Sequence, residues 1–185
     1  MHFLTQVPVN FTNTVVPPWS DVIVFCATTL GVVMAISCVV FLMVRKFSYH
    51  DAFSGVEELF KKAGDIFILL FTSFGAYIFS VIFKNTFMIG RPAMYNVDLH
   101  PLLNLSGYGF PSSHASFYFA MAFTLFFIEK KAGAFAIVTA MTICICRVLA
   151  GVHSPLDILG GMILGLLFSS LVDFVVEKLS NWKTA

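Results

Sequence analysis

A chain of 185 residues that is 58% hydrophobic and only 11% charged lies far from the roughly 25% charged content of soluble domains; a water-soluble fold of this size cannot hide so much apolar surface. Its net charge of +1 excludes a general attraction to nucleic acid or to acidic surfaces. The apolar residues come in runs close to the roughly 20 needed to cross hydrocarbon as a helix, which predicts an all-α, polytopic transmembrane helix bundle.

In chain order, residues 1–20 carry no Lys or Arg and contain Pro8, Pro17 and Pro18. They lack the basic start of a cleavable signal peptide and are expected to form a short outer or interfacial segment. Apolar runs and breakers then predict five spans, at about 21–44, 65–83, 112–128, 132–148 and 155–176. Residues 48–62 mix apolar and charged side chains at helical spacing, as a helix lying on the inner surface would. The longest outer connection, 93–110, mixes Tyr95, Leu99, Leu102, Leu103 and Tyr108 with polar residues and suits the headgroup layer at a site mouth. With no internal repeat and no dividing linker, residues 1–185 form one domain, its bundle running from 21 to 185. Cys26, Cys38, Cys144 and Cys146 all fall within apolar runs, without the spacing of a zinc site or a disulfide framework, and read as packing residues.

The basic residues fix an orientation through the positive-inside rule. Arg45, Lys46, Lys61, Lys62, Lys130, Lys131, Lys178 and Lys183 all fall at one side, which is then cytoplasmic. The N-terminus is outside and the C-terminus inside. Lys84, Arg91 and Arg147 remain on the outer side, against the bias, so the usual reading of a span-end cation as a snorkelling anchor does not account for them.

Each of these cations belongs to a short pattern. Lys84 is followed by Arg91 and Pro92; Pro111, Ser112, Ser113 and His114 form a second group; Arg147, His153 and Asp157 form a third. In order and spacing the three resemble the signature motifs of the type 2 phosphatidic acid phosphatase (PAP2) family, over about residues 65–176. Ser113 stands where the family often has Gly, and Cys146 where a Ser usually precedes the Arg. The five spans compare with six usual in the family, the difference falling ahead of residue 21.

The residue types carry the same chemistry independently. A phosphoryl group in transfer spreads negative charge over its equatorial oxygens, and catalysis is mostly positioning and electrostatic stabilisation. Lys84, Arg91 and Arg147 supply positive donors, the Arg forks binding two oxygens at once. Ser112 and Ser113 open the third span, where free backbone N–H groups and the positive helix end suit an anion. His153 is the expected nucleophile, forming a phosphohistidine, and His114 the acid that protonates the leaving oxygen. Asp157, four residues after His153, is placed to fix its tautomer. Asp157 also reads as a helix cap with Ser154 and Pro155, and the two roles are compatible. With Asp21, Asp98 and Asp157 the only outer carboxylates, neither a metal nor another cofactor is expected.

Family resemblance implies metal-independent hydrolysis of a lipid-linked phosphate or diphosphate, undecaprenyl diphosphate or phosphatidylglycerophosphate ranking first, at the outer face of a bacterial cytoplasmic membrane. The partners are then the lipid substrate and the bilayer, with no nucleic acid. A lipid phosphotransferase shares every motif. Haem ligation by His114 and His153 is a remote alternative that leaves the three cations unexplained. Elsewhere, His2, His50 and His100 read as hydrogen-bonded interfacial residues, Gly160, Gly161 and Gly165 as a helix-packing patch, and Phe117, Phe119, Phe126 and Phe127 as lipid-facing or packed bulk.

Overall fold

The computed structural model describes residues 12–45, 55–96 and 98–184. Its helices are α1 (Trp19–Val44), α2 (Gly55–Phe87), the short α3 (Pro92–Tyr95), α4 (Ser113–Ile128), α5 (Lys130–Leu149) and α6 (Pro155–Thr184). Four helices are long and apolar enough to cross a membrane, and α4 is a shorter apolar helix. At 1.5 Å per residue its 16 residues rise about 24 Å, less than the roughly 30 Å hydrocarbon core.

That shorter helix is the hub. It packs against α6, α2 and α5, while α1 lies on α5 and α2 on α6. Phe119, Met121 and Leu125 on α4 are buried with Met34 and Leu42 of α1, Leu69 of α2 and Ile143 of α5. The outer helices turn their other faces outward, exposing Val32, Ile36 and Val40 on α1, Phe67, Phe71 and Phe74 on α2, and Leu167, Leu171 and Phe174 on α6. A belt this wide is the lipid-facing surface of an integral membrane protein rather than a scatter of exposed apolar residues.

Close approach of α6 to α4 depends on two glycines. A Cβ on Gly161 would stand 2.6 Å from Ser112 O, and one on Gly165 would stand 2.8 Å from Ala120 N. These residues form the small-residue seam expected of packed membrane helices. Among the phenylalanines read as bulk, Phe119 is fully buried whereas Phe127 is exposed.

One expected element is redrawn. The described part of the 48–62 segment is the first turns of α2, one continuous 33-residue helix from Gly55, rather than a separate surface helix; residues 46–54 lie outside the described residues, as do His2 and His50. Periodicity indicates a helix but carries no information about the direction of its axis. Lys62 pairs with Glu58 at 2.7 Å on this extension, and Arg45 at the end of α1 pairs with Asp65. Helix α6 likewise continues past residue 176, where its apolar run ends.

Candidate active site

Alternating helix directions bring the start of α4, the end of α5, the start of α6 and the end of α2 to one end of the bundle. Each is shaped locally. Ser112 caps α4, its Oγ accepting from Ala115 N at 3.4 Å and its carbonyl from Ser116 N at 2.9 Å. The amides of Ser113 and His114 are the remaining first-turn donors, which no intrahelical carbonyl can reach. Ser154 and Asp157 cap α6 reciprocally: Asp157 N donates to Ser154 Oγ at 3.2 Å, and Ser154 N to Asp157 Oδ2 at 2.8 Å. That is the capping box written by Ser154-Pro155-Leu156-Asp157. Ser112 N also donates to Asp157 O at 2.9 Å, tying the two helix starts together.

His153 lies in the turn between α5 and α6 and is only 1% exposed. Its Nδ1 faces Asp157 Oδ2 at 3.3 Å, and its Nε2 stands 3.4 Å from Arg91 Nη1. Burial pushes the imidazole below its ordinary pKa, against the opposing pull of the Asp157 carboxylate, so the ring is neutral at neutral pH. With Asp157 accepting from Nδ1–H, the Nε2 lone pair is the free one.

Arg91 is itself held by backbone carbonyls, its Nε donating to Gly107 O at 3.1 Å and its Nη1 to Val152 O at 2.9 Å. Arg147, 2% exposed, donates through Nη1 to Ala27 O of α1 at 2.9 Å. Its Nε is buried without a hydrogen-bond partner, a cost that a bound anion would relieve. Lys84 is half-buried on the last turns of α2, and the charges of Arg91, Asp157 and Arg147 all act on it. His114 is exposed at the mouth, its ring 6.2 Å from that of Tyr118. Arg147, His153, Lys84 and Arg91 each lie close enough to act on its charge. Thus Lys84, Arg91, Arg147, His114, His153 and Asp157 gather at one end, with Ser112 and Ser113 beside them at the α4 terminus.

Three contributors went unread in the sequence. Ala27 acts through a carbonyl, which leaves no sequence signal. Gly107 and Gly109 had one, as glycines just ahead of Pro111-Ser112: Gly107 O holds Arg91, and a Cβ on Gly109 would meet Asp157 Oδ2 at 3.0 Å. Cys146 lies away from the anion cradle, packed with Leu102, Leu103 and Val152 in a separate apolar cluster. His100 is exposed in the loop between α3 and α4. Among the described residues, no three His, Cys, Asp or Glu side chains cluster as metal ligands.

Four membrane-length helices around a shorter one, with three cations and two histidines gathered at one end, define a helical membrane protein. The model of the PAP2 superfamily matches residues 65–179, more than half of the sequence, and the chain belongs to that superfamily. The bacitracin transport permease protein BcrC of Bacillus licheniformis is 39% identical over 71 residues, covering 38% of this chain and 35% of that protein. The putative undecaprenyl-diphosphatase YbjG of Escherichia coli (strain K12) is 38% identical over 79 residues, covering 42% and 39%. The matched stretch thus spans well under half the length of these curated relatives. In fold, the chain is similar to Aquifex aeolicus LpxE, with a TM-score of 0.69 and 21% identity over 90% of this chain and 92% of that one. It is equally similar to the first transmembrane PAP2 type phosphatidylglycerolphosphate phosphatase from Bacillus subtilis, with a TM-score of 0.69 and 22% identity over 96% and 86%.

Proposed function

We propose that this protein is a lipid phosphatase that removes phosphate from a lipid-linked mono- or diphosphate through a phosphohistidine on His153, without a metal. The observation that carries this reading is the placement of His153: Nδ1 on Asp157 and Nε2 beside Arg91. Nε2 attacks phosphorus, an N–P bond forms, and the P–O bond to the leaving group breaks. His114 gives that leaving oxygen its proton. A water then attacks the phosphohistidine, His114 takes the water's proton, and phosphate leaves with His153 restored. Lys84, Arg91, Arg147 and the first-turn amides of α4 carry the charge on the equatorial oxygens throughout.

A prenyl diphosphate is the favoured substrate, because the E. coli relative is a putative undecaprenyl-diphosphatase; phosphatidylglycerophosphate ranks second, as the substrate class of the B. subtilis neighbour. The basic residues toward the opposite end of the bundle support a site on the outer face of a bacterial cytoplasmic membrane, with the N-terminus outside and the C-terminus inside. The test is phosphate release from a panel of lipid phosphates by the wild type and His153→Ala. Free phosphate from a single lipid substrate is expected; phosphoryl transfer only onto a second lipid would make the protein a transferase instead.

A further inference from the structure

We infer that the segment just ahead of α1 is a positioning strap for the active site, with Asn13 its clasp; the inference rests on the phosphatase reading above. Asn13 holds the outer loop from both sides of its amide, Nδ2 donating to Asp98 O at 2.6 Å and Oδ1 accepting from His100 N at 3.2 Å. The neighbouring Thr12 is buried and donates through Oγ1 to Leu149 O at 2.9 Å, at the end of α5. One dipeptide therefore ties two segments that are about 50 residues apart in sequence.

The tied loop closes directly on the turn that carries His153. Leu102 N donates to Ala150 O at 3.0 Å. A Cβ on Gly151 would meet Leu99, Pro101 and Thr12 together, at 3.2, 3.4 and 3.5 Å. Val15, Leu102 and Leu103 pack on Ile23, Ala150 and Val152. Between loop and turn lies a cavity of about 240 Å³ lined by Arg91, Met94, Pro101, Leu103, Leu105 and Val152. Arg91 forms part of its wall and also faces His153 Nε2, so whatever fills the cavity lies beside the reacting phosphoryl group. Apart from the guanidinium and Ser106, the lining is apolar side chains and glycine, which suits the hydrocarbon next to the phosphate of a lipid substrate rather than a second charged group. The strap holds this cavity in shape. It acts on substrate positioning and leaves the chemical step to the residues already described.

Asn13 is exposed, so replacing it leaves the core intact. The full chain in mixed micelles is assayed with a prenyl diphosphate, which fills the cavity, and with acetyl phosphate, which is too small to do so. Asn13→Ala is expected to raise KM for the prenyl diphosphate about tenfold, the effect of losing two modest hydrogen bonds, with kcat and the acetyl phosphate kinetics unchanged. Asn13→Asp, which keeps the acceptor for His100 N, falls between. Hydrogen exchange reads the strap independently of activity: amides of residues 98–107 exchange faster in Asn13→Ala. Unchanged KM and exchange, or an equal loss on both substrates with a lowered Tm, would overturn the inference. A wild type inactive on both substrates, with exchange altered as expected, would instead sink the phosphatase reading and leave the strap standing.

Discussion

Arg91 Nη1 stands 3.4 Å from His153 Nε2, the ring nitrogen that Asp157 leaves free. With Nδ1 on Asp157, Nε2 can accept from that guanidinium N–H, and an incoming anion would take the donor over and leave the lone pair facing it. The pair therefore marks where a phosphoryl oxygen and the phosphorus would sit. Replacing His153 by Ala removes the nucleophile, and turnover of any lipid phosphate should fall by at least about 10⁴-fold, as for other covalent catalysts. A ³²P-labelled substrate quenched in base should leave an acid-labile, base-stable label on the wild type and none on that variant. Retained turnover would eliminate His153 as the attacking group.

Substituting Arg91 by Lys keeps the charge and loses the fork. Arg91 Nε and Nη1 are fixed by Gly107 O and Val152 O, which aims the guanidinium, whereas an ammonium on a flexible stem has nothing to orient it. Losing one charge-assisted bond of about 1.5–3 kcal/mol should lower kcat/KM by about ten- to a hundredfold. An Arg91→Lys enzyme with wild-type kcat/KM would place Arg91 outside the phosphate cradle.

The pH profile follows from the burial of His153. Its pKa lies below the ordinary imidazole value, so the ring stays neutral and nucleophilic at neutral pH and is lost only as pH falls through that depressed value. The acid limb of kcat should therefore lie below about pH 6.5, the unperturbed figure. Asp157 opposes the depression, so Asp157→Asn should move the acid limb to still lower pH while slowing turnover by about 10²–10⁴-fold through loss of the oriented tautomer. A limb moving upward in that variant would contradict the assignment. The same sign governs stability: this histidine contributes above its unfolded pKa and ceases to as pH drops through the folded one.

Much of this site was legible because phosphoryl chemistry restricts residue type. Three cations at the span ends opposite those that carry the other basic residues, together with two histidines, leave few readings. Asp157 was legible twice, as cap and as histidine partner, and its Oδ2 makes both contacts. What sequence could not supply is the scaffolding by main chain. Ala27 O on Arg147 joins α1 to α5 across 120 positions, and a carbonyl looks the same in every residue. The two hydrogen bonds of Asn13 are invisible for a related reason, since an exposed Asn among prolines reads as an ordinary turn residue.

In the proposed mechanism, positive side chains and amides rather than a metal ion meet the phosphate charge. Activity should accordingly persist in EDTA, and orthovanadate should inhibit competitively, because its trigonal bipyramidal form copies the geometry of attack at phosphorus. His114→Ala should leave a slow enzyme that still becomes phosphorylated by substrates whose leaving group needs no proton. Complete loss of wild-type activity on chelation, restored by a divalent ion, would overturn the metal-free mechanism.

The seam between α4 and α6 sets the position of both helix starts in the site, so it should be sensitive to a single methyl group. An Ala at position 161 would bring its Cβ to 2.6 Å from both Ser112 O and Ala115 Cβ, a backbone and a buried neighbour with no room to yield. The helices must separate, and the Ser112 N to Asp157 O bond of 2.9 Å is the first contact to stretch. Overpacking of this kind costs about 1–3 kcal/mol, and here it should lower kcat as well as Tm because Ser112 and Asp157 move apart. Gly64→Ala is the control: nothing lies within 4 Å of a Cβ there, and α2 should gain up to about 1 kcal/mol of helix propensity. The expected pattern is a lower Tm and slower turnover for Gly161→Ala, with neither reduced for Gly64→Ala. If both variants behaved alike, close packing at the seam would not be what holds the site in place.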